Sequence, residues 1–204
     1  MRPTSQSFVI SGTDTNIGKT VFCAGLAGML GVRYWKPVQA GLPSDSDVVA
    51  ELAGVEIVPE VYRLQLAASP HQAAAEEGVS IDPDTLNPPD GPLVIEGAGG
   101  LMVPLNRETL FIDVFARWRL PLILCARTAL GTINHTLLSV EAIRSRNIPL
   151  HGVAFIGEAN DESEKIITEF GKVKRLGRLP VIEPLTPGRL AGVFGKTFER
   201  TDFA

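Results

Sequence analysis

The chain has 204 residues, 45% apolar and 21% charged, which suits one domain with a sizeable core. Lys and Arg total 19 against 23 Asp and Glu, and the net charge of −4 with no basic run excludes a nucleic-acid backbone as partner. The first seven residues hold no apolar core for a signal peptide, and the longest apolar stretch, Leu120 to Ala126, is too short to span a bilayer; no membrane partner and a cytoplasmic location are expected.

Apolar runs of strand length alternate along the chain with stretches of helical spacing. Phe8-Val-Ile10 predicts a strand, and Val21 to Leu30 a helix stopped by Gly31. Val32 to Trp35 reads as a strand ending at Lys36-Pro37, and Asp45 to Ala53 as a helix with Ser44 or Asp45 at its cap. Residues 54 to 91 are proline-interrupted and are expected to form small helices and loops between two core strands. Further strands are predicted at Pro92 to Ile95, Leu122 to Cys125 and Gly152 to Ile156, and further helices at Asn134 to Arg146 and Asp161 to Phe170. Near-continuous apolar strands indicate burial on both faces. The expected fold is therefore α/β: a single P-loop domain over residues 1–204, with a mostly parallel sheet between helices. Cys23 and Cys125 lie in apolar runs and read as buried free thiols.

Ligands of an open α/β sheet bind beyond the carboxyl ends of its strands, so the polar residues that end the apolar runs carry the chemistry. The first run is followed by Gly12-Thr-Asp-Thr-Asn-Ile-Gly18-Lys19-Thr20 and then a helix. That order supplies a glycine-rich loop and a helix N-terminus for phosphates, a lysine for the β- and γ-phosphates, and a hydroxyl for Mg²⁺. Five residues separate Gly12 from Gly18, one more than the usual motif. The second run ends in Lys36, a second positive charge at the phosphates or else a solvated surface lysine. The third ends in Glu96-Gly-Ala-Gly-Gly100, where a carboxylate can hold Mg²⁺ and the glycines admit a ligand to the backbone. Of Asp45 and Asp47, one is expected to cap the helix and the other to complete the metal site; Asp47 is taken for the metal. After the fourth run, Leu130 to His135 opens a helix whose free N–H groups suit a substrate carboxylate. His71, His135 and His151 are read as structural.

The phosphate loop, Lys36-Pro-Val-Gln39, Glu96-Gly-Ala-Gly-Gly100 and Leu130-Gly-Thr-Ile-Asn-His135, in that order, resemble the dethiobiotin synthetase family, and so does Ser69-Pro70-His71. The resemblance covers about residues 8 to 157 and continues more loosely to the C-terminus. It implies ATP- and Mg²⁺-dependent closure of a ureido ring on 7,8-diaminopelargonate with CO₂, in biotin biosynthesis. It further implies that Asn16, Ile17, Gly18, Lys19, Thr20 and Val21 wrap the phosphates, and that Gly97, Ala98, Gly99, Pro180, Val181 and Ile182 contact the nucleotide. Thr20, Asp47 and Glu96 would hold Mg²⁺, and Lys19 and Lys36 would act in catalysis. Thr15, Ala40, Gly131, Thr132 and Asn134 would meet the diamine, the last three from the second subunit of a homodimer. Three positions depart from the family pattern: Asn16 stands where Glu is common, Ala40 where a hydroxyl is usual, and Ile156 where an Asn often reads adenine; either Asn160 takes over that task from its loop or the base selectivity is relaxed. Two other readings compete. A partitioning-type switch ATPase would carry a further lysine early in the loop, which Gly12 to Ile17 lacks. An amide-forming ligase of the cobyrinic-acid type would need a glutaminase domain.

Overall fold

The computed structural model describes residues 6–203. The first five residues, part of the segment read as lacking a signal-peptide core, lie outside the described residues, as does Ala204.

Strand β1 (Phe8–Gly12) is buried along its whole length. Helix α1 (Lys19–Leu30) follows the glycine-rich loop and ends on Gly31 in the left-handed conformation. The chain continues through β2 (Arg33–Trp35), β3 (Val38–Ala40), α2 (Asp45–Ala53), β4 (Ile57–Val58), β5 (Tyr62–Leu64), α3 (Pro70–Glu76) and a short 3₁₀ turn at Pro83–Thr85. Then come β6 (Leu93–Gly100), α4 (Phe111–Trp118), β7 (Leu122–Arg127), α5 (Thr132–Ser145), β8 (Leu150–Ile156), α6 (Asp161–Gly171), β9 (Arg175–Leu179), α7 (Pro187–Thr197) and a 3₁₀ turn at Arg200–Phe203.

Seven strands form one sheet in the order β4-β2-β6-β1-β7-β8-β9. Every pairing in it is parallel, as the unbroken apolar runs required. Alternation along each strand feeds two cores. Val9, Trp35, Leu93 and Ile95 pack with α3, α4, α5 and α6 on one face. Phe8, Ile10, Tyr34 and Val94 pack with α1, α2 and α7 on the other. Phe22, Phe194 and Phe198 cluster on that second face with ring centroids 4.4–5.5 Å apart.

The segment expected to be only small helices and loops also contains strands. β4 adds an edge to the main sheet, and β3 pairs in parallel with β5 in a separate two-stranded sheet. This small sheet brings Gln39, Ala40 and the Ala67–Pro70 segment over the carboxyl ends of β1 and β6. Three elements absent from the sequence reading, α4, β9 and α7, complete the flanks. No helix among the described residues is long and apolar enough to cross a membrane.

His151 on β8 lies against Phe8 and Phe203, and its Nε2 meets the carbonyl oxygen of Asp202 at 2.7 Å. Burial pushes its pKa below the ordinary 6.5, and Lys174 pushes the same way against the partial opposition of Asp202. A base with a depressed folded pKa is protonated first in the unfolded chain. Its contribution to stability is full above the unfolded value and lost as pH falls from there through the folded value. The melting temperature is therefore expected to fall as pH drops below about 6.5, and His151→Phe to flatten that slope. An equal slope in the variant, by calorimetry, would sink the assignment.

Candidate active site

The carboxyl ends of β1, β2 and β6 open into a cleft of about 860 Å³. The phosphate loop forms its floor. Gly18 has φ of 93°, a left-handed conformation that an L side chain adopts only with strain, and a Cβ there would stand 2.9 Å from Ile156 Cγ2. Asn16 also has positive φ, 55°. Asn tolerates that region better than Glu does, so the departure from the family pattern is compatible with the backbone of the loop. Lys19 Nζ lies back on the loop, donating to the carbonyl oxygen of Asp14 at 3.0 Å. Burial lowers the pKa of Lys19, nearby Lys36 lowers it further, and Glu96 opposes both.

Four side chains converge at the mouth of this loop. Thr20 Oγ1 donates to Glu96 Oε1 at 3.0 Å, and Lys36 Nζ reaches the same oxygen at 3.2 Å. Lys36 also pairs with Asp45 Oδ2. Lys36 is only 4% exposed, which removes the reading of a solvated surface lysine. Burial pulls its pKa down, but the carboxylates of Glu96 and Asp45 outweigh this and hold it above the ordinary lysine value.

Asp45, not Asp47, faces the cleft. Gln39 Oε1 accepts from the Asp45 N–H at 3.2 Å and fixes the first residue of α2. Two positions on, Asp47 points away from Asp45 around the helix and pairs with Arg63 at 3.2 Å, with two thirds of its side chain exposed. Neither aspartate caps the helix. Ser44 occupies the cap position, and its hydroxyl donates to Glu60 instead. We expect Asp45→Asn to lower cation-dependent turnover about 10²-fold and Asp47→Asn to change it less than about twofold; equal effects in a steady-state assay would refute the distinction.

Thr15, Asn16, Ile17, Gly18, Lys19, Thr20, Val21, Lys36, Ala40, Glu96, Ala98 and Gly99 all line the cleft. Gly97 does not. β6 alternates, so Gly97 faces the opposite core, where an added Cβ would meet Phe115 Cζ at 2.7 Å. Its missing side chain admits α4 to the sheet. Pro180, Val181 and Ile182 follow β9, beside Ile156, which pairs with Leu179 and touches Gly18. They lie outside the cleft lining. Asn160, the alternative reader of the base, has both ends of its side-chain amide engaged. It caps α6 by accepting from Ser163 N–H and donates to the carbonyl oxygen of Thr128.

Gly131, Thr132 and Asn134 stand at the start of α5, after β7, which adjoins β1. They also lie outside the cleft lining. The Thr132 hydroxyl is buried against Thr136 and its N–H is held by Ala129. Asn134 is exposed, and neighbouring Leu130 is fully so. Among the three histidines, His71 bonds Ser69 and His151 bonds the Asp202 carbonyl. Cys23 and Cys125 are buried free thiols whose pKa values burial pushes up.

One contributor escaped the sequence reading. Tyr34, fully buried, donates from its hydroxyl to Glu96 Oε2 at 2.8 Å. Its sequence signal was its position two residues before Lys36, which directly follows β2.

An all-parallel sheet, a glycine-rich loop between its central strand and a helix, and an acid on the adjacent strand define a P-loop nucleotide-dependent enzyme. Solved structures agree on the fold. A ParA family ATPase from Chlorobium tepidum matches with a TM-score of 0.58 at 10% identity, over 94% of this chain and 98% of that one. The cell-division protein MinD from Aquifex aeolicus matches with a TM-score of 0.52 at 10% identity, over 94% and 96%. A family model described as an AAA domain matches residues 6–189. Two relatives named ATP-dependent dethiobiotin synthetase BioD are far nearer in sequence. That of Sphingopyxis alaskensis is 57% identical, covering 96% of this chain and 98% of the relative. That of Agrobacterium fabrum is 60% identical, covering 98% and 97%. The chain belongs to the ATP-dependent dethiobiotin synthetase family.

Proposed function

We propose that this cleft closes the ureido ring of dethiobiotin from 7,8-diaminopelargonate, CO₂ and ATP, releasing ADP and phosphate. The observation that carries the reading is the convergence of Thr20, Lys36, Asp45 and Glu96 at the mouth of the phosphate loop. One substrate amine takes up CO₂ as a carbamate, whose oxygen attacks the γ-phosphorus and expels ADP. The second amine then attacks the carbamoyl carbon and expels phosphate. Such transfers need positioning and charge neutralisation more than covalent help from the protein, and the cleft offers those.

The donor set fits Mg²⁺. Thr20, Asp45 and Glu96 supply hard oxygens, and Mg²⁺ completes its shell with waters and phosphates, so a full protein cage is not required. Among the described residues there is indeed no group of three or more His, Cys, Asp or Glu that would form one. When bound, the ion neutralises charge on the β- and γ-phosphates. Lys19 would leave the Asp14 carbonyl for those phosphates. Lys36 would hold the carbamate and the transferring phosphoryl group, and the free N–H groups at the start of α1 would hold phosphate oxygens. Pro180 to Ile182 would line the base, with Ile156 giving shape but no hydrogen bond. Ala98 and Gly99 would line the nucleotide path, and Thr15 and Ala40 the diamine.

We place the start of α5 at the far end of the diamine, in a homodimer. The exposure of Leu130, Gly131 and Asn134 supports contact with a second copy. Asn134→Ala is expected to weaken diamine binding about fivefold and leave ATP affinity unchanged; unchanged diamine affinity in calorimetry would remove this assignment. A reducing, cytoplasmic setting accords with the two unpaired thiols. The test of the whole reading is ATP turnover by the purified chain with and without diamine and bicarbonate, with dethiobiotin followed by mass. Turnover independent of both, and stimulated by DNA or lipid, would overturn it in favour of a switch ATPase.

A further inference from the structure

The two oxygens of Glu96 are not equivalent. The residue is 1% exposed. Oε1 faces the cleft, where Thr20 and Lys36 meet it. Oε2 faces the core and accepts from Tyr34 at 2.8 Å. The strands arrange this. β2 and β6 run in parallel with Tyr34 opposite Val94 and Trp35 opposite Ile95, so Lys36 stands level with Glu96 and Tyr34 two residues below it. Lys36 directly follows β2, and the one carboxylate takes Lys36 on Oε1 and Tyr34 on Oε2.

A carboxylate without such a partner rotates about its last torsion and can offer one oxygen or both. Here rotation would break the Tyr34 hydrogen bond, the one bond that hydroxyl makes among the described residues, and strand a buried donor. We propose that Tyr34 is a positioning residue that makes Glu96 a one-oxygen donor, and so tunes the site to a small octahedral cation. Mg²⁺ accepts that geometry, whereas the larger Ca²⁺ readily takes a carboxylate through both oxygens. The proposal rests on Thr20, Asp45 and Glu96 forming the cation site.

Tyr34→Phe removes the hydroxyl and keeps the ring. With ADP present, Mg²⁺ and Ca²⁺ affinities can be read from their competition with Mn²⁺, whose free fraction is measured by electron paramagnetic resonance. The preference for Mg²⁺ over Ca²⁺ is expected to fall at least about fivefold in the variant, while ADP affinity without metal stays the same. An unchanged preference would overturn the proposal. A second measurement leaves Tyr34 in place. The chain has two tyrosines, so Tyr62→Phe grown with 3-fluorotyrosine carries its ¹⁹F label at Tyr34 alone. That resonance is expected to shift differently when Mg²⁺ or Ca²⁺ joins the ADP complex, and identical shifts would also overturn it. Failure of both Mg²⁺ and Ca²⁺ to bind the unaltered chain with ADP would instead remove the cation site itself, and the proposal with it.

Discussion

Replacing Lys36 by methionine is expected to lower turnover about 10³-fold or more while changing nucleotide affinity by less than about threefold. Methionine keeps an unbranched chain of similar reach and removes the charge. In the free protein that charge lies between Asp45 and Glu96, so the variant leaves two carboxylates facing each other across the cleft. Breaking a buried pair this way is costly, but Asp45 is 30% exposed, and Thr20 and Tyr34 still donate to Glu96. We therefore expect a stability loss of about 1–3 kcal/mol, not the larger loss of a fully enclosed pair. Mg²⁺ should restore much of this, because it supplies the missing positive charge; the thermal shift on adding Mg²⁺ is expected to be larger in the variant than in the parent. Turnover should not return, since the charge we propose for the carbamate and the transferring phosphoryl group is still absent. Calorimetry and single-turnover kinetics separate the two effects. Equal losses of ATP affinity and rate would place Lys36 in ground-state nucleotide binding instead.

The fold was legible where burial dictates sequence. β1, β6, β7 and β8 lie inside the sheet, flanked by helices on both faces, and their unbroken apolar runs follow from that. β9 is an edge strand with Arg175 and Arg178 in it, so its pattern is diluted. β3 and β5 have three residues each, too few for any period to show, and their pairing is a long-range event. α7 contains Gly188, Gly192 and Gly195, which weaken its local helical preference; Leu190 and Phe194, packed against α1, hold it in place.

Within the site, the residues on the loop and at strand ends were legible because backbone position alone aims them. Lys36 directly follows β2 at the level of Glu96 on the adjacent parallel β6, and the two have to meet. The choice between Asp45 and Asp47 turned on rotation about α2, which depends on Gln39 holding the Asp45 N–H, a contact made across a turn. The same is true of Gly97. Its neighbours in sequence point to a ligand loop, yet the alternation of β6 gives it to Phe111 and Phe115. Tyr34 was hidden for the opposite reason. An aromatic in a buried strand is ordinarily core, and only the register of β2 on β6 reveals the carboxylate beyond its hydroxyl.

That hydroxyl also determines what Glu96→Gln should do. An amide has one acceptor and one donor end. The cleft side of Glu96 faces Thr20 and Lys36, both donors, so the amide oxygen belongs there. Its NH₂ then faces Tyr34, whose hydroxyl can turn and accept. The variant is thus expected to fold, losing the charge and leaving the buried Tyr34 O–H without the acceptor it has in the parent. The stranded Tyr34 donor should cost about 1–3 kcal/mol, seen as a modestly lower melting temperature without metal. The cation should bind about 10²-fold more weakly, and turnover at low Mg²⁺ should fall by at least as much. Lys36 should change as well. Its pKa stands above the ordinary value because Glu96 and Asp45 outweigh burial. With Glu96 neutral, burial gains ground and the pKa falls, so the alkaline limb of the rate profile should move to lower pH. Aspartate at position 96 keeps the charge but draws it back from the cleft, and should leave the alkaline limb nearer its original place. If Glu96→Gln binds Mg²⁺ as the parent does, as measured by competition with Mn²⁺, then Glu96 serves Lys36 alone, and the cation is held by Asp45 and the phosphates.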